Sequence, residues 1–82
     1  MKWITAYEQS VPAKQVTRLW NIRSSEYDVH LGQVKWYTGW RRYAFFPADD
    51  CLFEQDCLRD IADFIEQATV QRKEERKRAK DV

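Results

Sequence analysis

Apolar and polar positions alternate in short runs through residues 15–47 and recur at helical spacing after residue 56. Residues 15–23, QVTRLWNIR, give the clearest strand. Val16, Arg18, Trp20 and Ile22 fall on one face, and Thr17, Leu19, Asn21 and Arg23 on the other, because successive strand side chains point to opposite sides. Trp20 and Ile22 mark the core side. Arg18 is tolerable there near a sheet end, where its stem packs and its head reaches water. Ser24-Ser25-Glu26 is turn-like. A second strand runs from Tyr27 or Asp28 to Tyr37, with Gly32 marking a bulge. Thr38-Gly39 supplies a turn in which Gly39 is suited to positive φ. The third strand covers 41–46 and ends at Pro47. Residues 2–8, KWITAYE, alternate more loosely, so an N-terminal edge strand and a helix both fit.

The period then changes. Leu58, Ile61, Ala62, Ile65 and Ala68 or Thr69 form an i, i+3, i+4, i+7 stripe, the mark of an amphipathic helix. Asp56 suits the N-cap of a helix beginning at Cys57, and Asp60 adds negative charge near that end. Leu52 and Phe53 are expected to cover the core from the preceding loop. From Gln71 the stripe stops, and the tail either continues as a solvated helix or frays. The pattern predicts an α+β fold: a three-stranded antiparallel sheet, with a fourth N-terminal edge strand as an option, packed against one C-terminal helix. Residues 1–70 would form a single small domain and 71–82 a charged, basic extension.

Aromatic residues make up 15% of the chain and concentrate in 31–47, LGQVKWYTGWRRYAFFP. Reading that stretch face by face assigns Val34, Trp36, Tyr43 and Phe45 to the core. The opposite face carries Leu19, Asn21, Arg23, Lys35, Tyr37, Arg42 and Phe46. Exposed aromatics interleaved with cations are the chemistry of platforms that stack single-stranded bases. A protein partner, or a second copy of the chain, can cover the same face. Trp40-Arg41-Arg42 at the turn has hot-spot composition.

Charge is unevenly spread. Residues 1–48 hold seven Lys/Arg against three Asp/Glu, 49–66 hold seven acids against Arg59, and 67–82 hold six bases against three acids. The tail residues Arg72, Lys73, Arg76, Lys77, Arg78 and Lys80 are candidates for phosphate contacts. Asp56, Asp60 and Asp63 fall at i, i+4, i+7 and can form one negative stripe that either mimics nucleic-acid phosphates or docks on a basic protein groove, or that simply solvates the helix start.

The residues argue against an enzyme. His30 is the sole histidine and has no triad or metal cluster around it in sequence. Cys57 opens the apolar stripe, which suits a core residue, and Cys51 and Cys57 lack a CxxC partner for zinc. Phosphate-binding glycine loops are absent. No catalytic, cofactor-binding or metal-binding residue is assigned, and no cofactor is implied. Two cysteines and no recognisable leader or membrane-length apolar run point to a cytoplasmic, membrane-free setting.

Leu31, Gly32, Trp36, Trp40, Arg41, Tyr43, Phe45, Pro47, Cys57, Leu58, Ile61, Phe64 and Ile65 together resemble a signature of small bacteriophage- and prophage-encoded proteins, over about residues 20–67. The resemblance implies a phage or host-cytoplasm setting and a three-stranded sheet plus helix, and it assigns no catalytic residue. The function expected is a non-enzymatic accessory protein that binds a host protein surface and inhibits a host or defence factor. The alternative is a single-stranded nucleic-acid-binding module using the aromatic and basic sheet face together with the basic tail. A homodimer fits either setting.

Overall fold

The chain is described by a computed structural model covering residues 2–80, with side chains to Arg78. Its elements are β1 (Ile4–Gln9), β2 (Leu19–Ser24), β3 (His30–Tyr37), β4 (Arg42–Pro47) and α1 (Gln55–Lys80). The strands form one antiparallel sheet in the order β1-β2-β3-β4. The N-terminal stretch is therefore a strand, and the sheet has four members.

One face of the sheet makes the core. Ile4, Trp20, Ile22, Leu31, Val34 and Tyr43 are buried there beneath Ile61 and Ala68 of α1, with Trp36, Phe45, Phe53, Cys57, Phe64 and Ile65 packed around them. Aromatic rings meet edge to face in the core: Trp20 with Tyr43 within the sheet at 5.2 Å, Trp20 with Phe64 of α1 at 5.0 Å, and Phe45 with Phe53 of the loop before α1 at 5.4 Å. Offset and T-shaped pairs of this kind add to the area they bury, which suits a domain too small for a deep core. Val34, Trp36, Tyr43 and Phe45 take the core side that alternation assigned to them.

Several boundaries differ from the pattern. β2 begins at Leu19, not at 15. Gln15 closes a turn onto the Pro12 carbonyl, and the Arg18 amide donates to the Tyr43 hydroxyl. Arg18 sits at the sheet end, where its guanidinium reaches Glu75 of α1 at 2.8 Å and Glu8 at 3.9 Å. β3 begins at His30, because Asp28 lies in a left-handed turn (φ 52°) and bonds back to Ser24. The bulge falls where Gly32 marked it: Ile22 pairs with Gly32 and Arg23 with His30, leaving Leu31 as the extra residue. A Cβ on Gly32 would meet the Phe46 carbonyl and come within 2.9 Å of the Phe45 ring.

In the β3–β4 turn the left-handed residue is Arg41 (φ 53°), not Gly39. A Cβ on Gly39 would lie 3.0 Å from the outer end of the exposed Tyr37 ring, a contact that a small shift of that side chain relieves. The helix starts earlier than Cys57. Glu54 is its cap, accepting from the amides of Asp56 (3.0 Å) and Cys57 (2.6 Å). Asp60 instead anchors the chain start, accepting from the Lys2 and Trp3 amides. The buried stripe runs through Cys57, Ile61, Phe64, Ile65 and Ala68, while Leu58 and Ala62 flank it exposed. Leu52 is 95% exposed and covers nothing; Phe53 alone does so. The helix continues without a break past residue 71, so the basic tail is helical to Lys80. Among the described residues no helix is long and apolar enough to cross a membrane.

Candidate functional site

The second face of the sheet has no element packed on it among the described residues. Strand register places its side chains in rows. Tyr37 stands opposite Arg42 beside the turn. Gln9, Leu19, Lys35 and Ala44 form the next row, and Tyr7, Asn21, Gln33 and Phe46 the one after it. Thr5, Arg23 and His30 lie at the far end. Not one strand position of this face holds Asp or Glu, although the chain has 13 acids. The face that alternation sets opposite the core is thus uncovered among the described residues, and Tyr7 and Gln9 of β1 extend it.

Its polar groups are ordered. Asn21 donates to Gln9 at 2.6 Å and Gln33 donates to Asn21 at 3.1 Å, an amide ladder across three strands. Lys35 Nζ lies 4.4 Å from the centre of the Phe46 ring, a cation–π arrangement that holds the ammonium against the sheet. Tyr37 and Trp40 meet edge to face at 4.8 Å. They remain 41% and 66% exposed, so both offer ring surface to a partner. Tyr37 and Phe46 are about four residues apart along the strand direction, roughly 13 Å.

The candidate cations differ in availability. Arg23 is committed to Asp28, its Nε 2.7 Å from the carboxylate, and contributes little net charge. The described ion pairs involve Arg18, Arg23 and Arg59, and none takes in Lys35, Arg41 or Arg42. Arg41 and Arg42 line a groove against α1 with Glu66 and Lys73. Arg41 also lines a groove of about 750 Å³ with Lys14, Trp36, Arg72, Lys73 and Arg76, so the structure brings the turn and part of the tail together. Lys77 and Arg78 are exposed on the helix. Lys80, also among the expected tail contacts, has a side chain outside the described residues.

The opposite end of the molecule is acidic. Trp3, Tyr27, Val29, Leu52 and Cys57 line a groove of about 560 Å³ together with Glu26, Asp50 and Glu54. The acidic stripe on α1 is partly used within the fold, because Asp60 holds the N-terminal amides and Asp56 pairs with Arg59 at 3.3 Å. Burial, then the Glu54 and Asp60 carboxylates, push the Cys57 thiol above its ordinary value, which keeps it protonated and weakly nucleophilic. Cys51 donates to the His30 carbonyl. No group of three or more His, Cys, Asp or Glu converges as a metal site among the described residues.

No family model, curated protein or solved structure matches the chain.

Proposed function

We propose that this protein is a non-enzymatic binding module whose working surface is the uncovered sheet face, and that its partner is single-stranded nucleic acid. The observation that carries the reading is the composition of that face. It presents Tyr7, Tyr37 and Phe46 with Lys35 and Arg42, free of strand carboxylates, and Trp40 stands exposed at its edge. Aromatic rings stack bases of any identity, and the cations between them meet the phosphates. The absence of acids matters because one carboxylate among stacked nucleotides would repel the backbone and cost affinity.

The test is a titration of labelled single- and double-stranded oligonucleotides at several salt concentrations, with Tyr37→Ala and Phe46→Ala variants checked for folding by circular dichroism. Each variant is expected to weaken single-strand binding about tenfold or more, matching a stacking contribution of about 1–3 kcal/mol per base. Lys35→Ala/Arg42→Ala should flatten the salt dependence. Failure of the wild type to bind any oligonucleotide at low salt would remove the reading.

A second reading, docking on a host protein and inhibition of a host or defence factor, is favoured by the acid-rimmed end. Leu52, Tyr27 and Val29 are exposed there beyond what folding needs, and patches of that sort commonly mark protein contacts. Capture from a host lysate by wild type and by Leu52→Ser separates it from the first reading, which leaves that end unused. The phage-type resemblance supplies the setting for both, a host cytoplasm. A homodimer through the sheet face would compete with either partner and would appear in the sedimentation of the free protein.

A further inference from the structure

We infer that the groove at the turn end of the sheet is a polyphosphate-backbone site, so that a bound strand continues off the sheet face, past Trp40, and lays its phosphates along the C-terminal half of α1. The inference rests on the sheet-face reading for the bases but has its own evidence for the phosphates. Three chain segments far apart in sequence meet there: Lys14 from the β1–β2 connection, Arg41 from the β3–β4 turn, and Arg72, Lys73 and Arg76 from α1, over Trp36. Five cations share one lining that contains no carboxylate. Of the acids nearby, Glu75 is engaged with Arg18 at 2.8 Å and Glu8 with the same guanidinium at 3.9 Å, while Glu66 and Glu74 line neighbouring grooves along α1.

Two commonplace explanations do not account for this. Cations favour helix C-termini, but that effect fades within the last turn, and Arg72, Lys73 and Arg76 precede the last turn of a helix ending at Lys80. Solubility is served by charge of mixed sign spread over the surface, whereas like charges gathered in one groove repel one another. That repulsion is relieved when an anion of matching charge density enters, and phosphate diesters at regular spacing are such an anion. Arg41 joins the two surfaces: it lies within the groove, and its neighbours Trp40 and Arg42 border the sheet face.

The experiment separates bases from phosphates. Three probes are titrated: a five-nucleotide single strand, the same strand carrying ten abasic residues, and inorganic polyphosphate of medium chain length. The variants are Arg72→Gln/Lys73→Gln/Arg76→Gln, and Lys14→Gln alone, each confirmed folded by circular dichroism. The abasic extension is expected to tighten wild-type binding at least tenfold and polyphosphate to bind. The triple variant should erase both effects and leave the five-nucleotide affinity within about twofold. Lys14→Gln should lower both by about threefold, although it lies far from the tail in sequence, which an independent basic tail would not produce. Equal affinity for the two oligonucleotides with no polyphosphate binding overturns the inference and leaves the sheet-face reading standing. Polyphosphate binding lost in the glutamine variants, with oligonucleotide binding indifferent to Tyr37→Ala and Phe46→Ala, upholds the groove and removes the sheet-face reading.

Discussion

Arg41 is held in a left-handed conformation, φ 53°, at a cost of about 1–2 kcal/mol for a residue with a Cβ. A two-strand connection does not require arginine there, and glycine would occupy it without that cost. Arg41→Gly is therefore expected to raise stability by up to about 1 kcal/mol while weakening binding of polyanions. Thermal unfolding and oligonucleotide titration on the same preparation check both signs. Cys57 gives a residue-scale prediction of a different kind. Its thiol is raised above the ordinary 9.0 by burial and by Glu54 and Asp60. The folded chain then keeps a proton that the unfolded chain releases earlier as pH rises. The associated stability is intact below about pH 9 and declines as pH climbs from the unfolded value through the folded one. Urea unfolding at pH 7 and pH 10 should show a larger loss for the wild type than for Cys57→Ala. Neither property is legible in sequence: the turn pattern assigns positive φ to Gly39, and a cysteine at a helix start suggests a lowered thiol pKa if exposed, whereas burial raises it here.

Among the elements, the strands were legible in kind and less so at their ends. Alternation places Trp20, Ile22, Val34, Trp36, Tyr43 and Phe45 on the core side without reference to tertiary structure, because strand periodicity is local. Ends depend on what the backbone bonds to next. β2 loses residues 15–18 to a turn and to the Tyr43 hydroxyl, a partner 25 residues away from Arg18. The helix start likewise moved to the residue whose carboxylate reaches two free amides, Glu54, although Asp56 has the better N-cap propensity. Thr69 shows a helix serving a sheet edge, since its hydroxyl accepts from the Tyr43 amide at 3.3 Å. The bulge at Leu31–Gly32 carries the sharpest element-scale prediction. Gly32 has φ 154° and no room for a Cβ beside β4. Gly32→Ala should cost at least about 2 kcal/mol through clash and backbone strain, measured by chemical denaturation, and should loosen the β3–β4 pairing before other regions.

Over the whole molecule, charge segregated in sequence becomes charge segregated in space. Strand connections 10–18 and 38–41 and the C-terminal half of α1 share one end, where Lys14, Arg41, Arg72, Lys73 and Arg76 meet. The start of α1 and the loops before β3 and α1 share the other, with Glu26, Asp50 and Glu54. A net charge of +1 conceals this polarity, which should steer a polyanion to one end. If Lys35 and Arg42 supply about two phosphate contacts, the salt slope for a short single strand should be near −1.5, and filling the basic groove with its five cations should steepen it toward about −5 for a strand with an extended backbone. Fluorescence anisotropy across salt concentration measures both slopes. The sequence by itself determined the fold class, the two faces of the sheet and the existence of basic and acidic blocks, because periodicity and composition act over a few neighbouring residues. Only the tertiary structure decided that one face stays bare, that Arg23 is neutralised by Asp28, and that Lys14, the turn and the helix line one groove. Those outcomes depend on which distant segments the antiparallel meander and the returning helix bring to the same end.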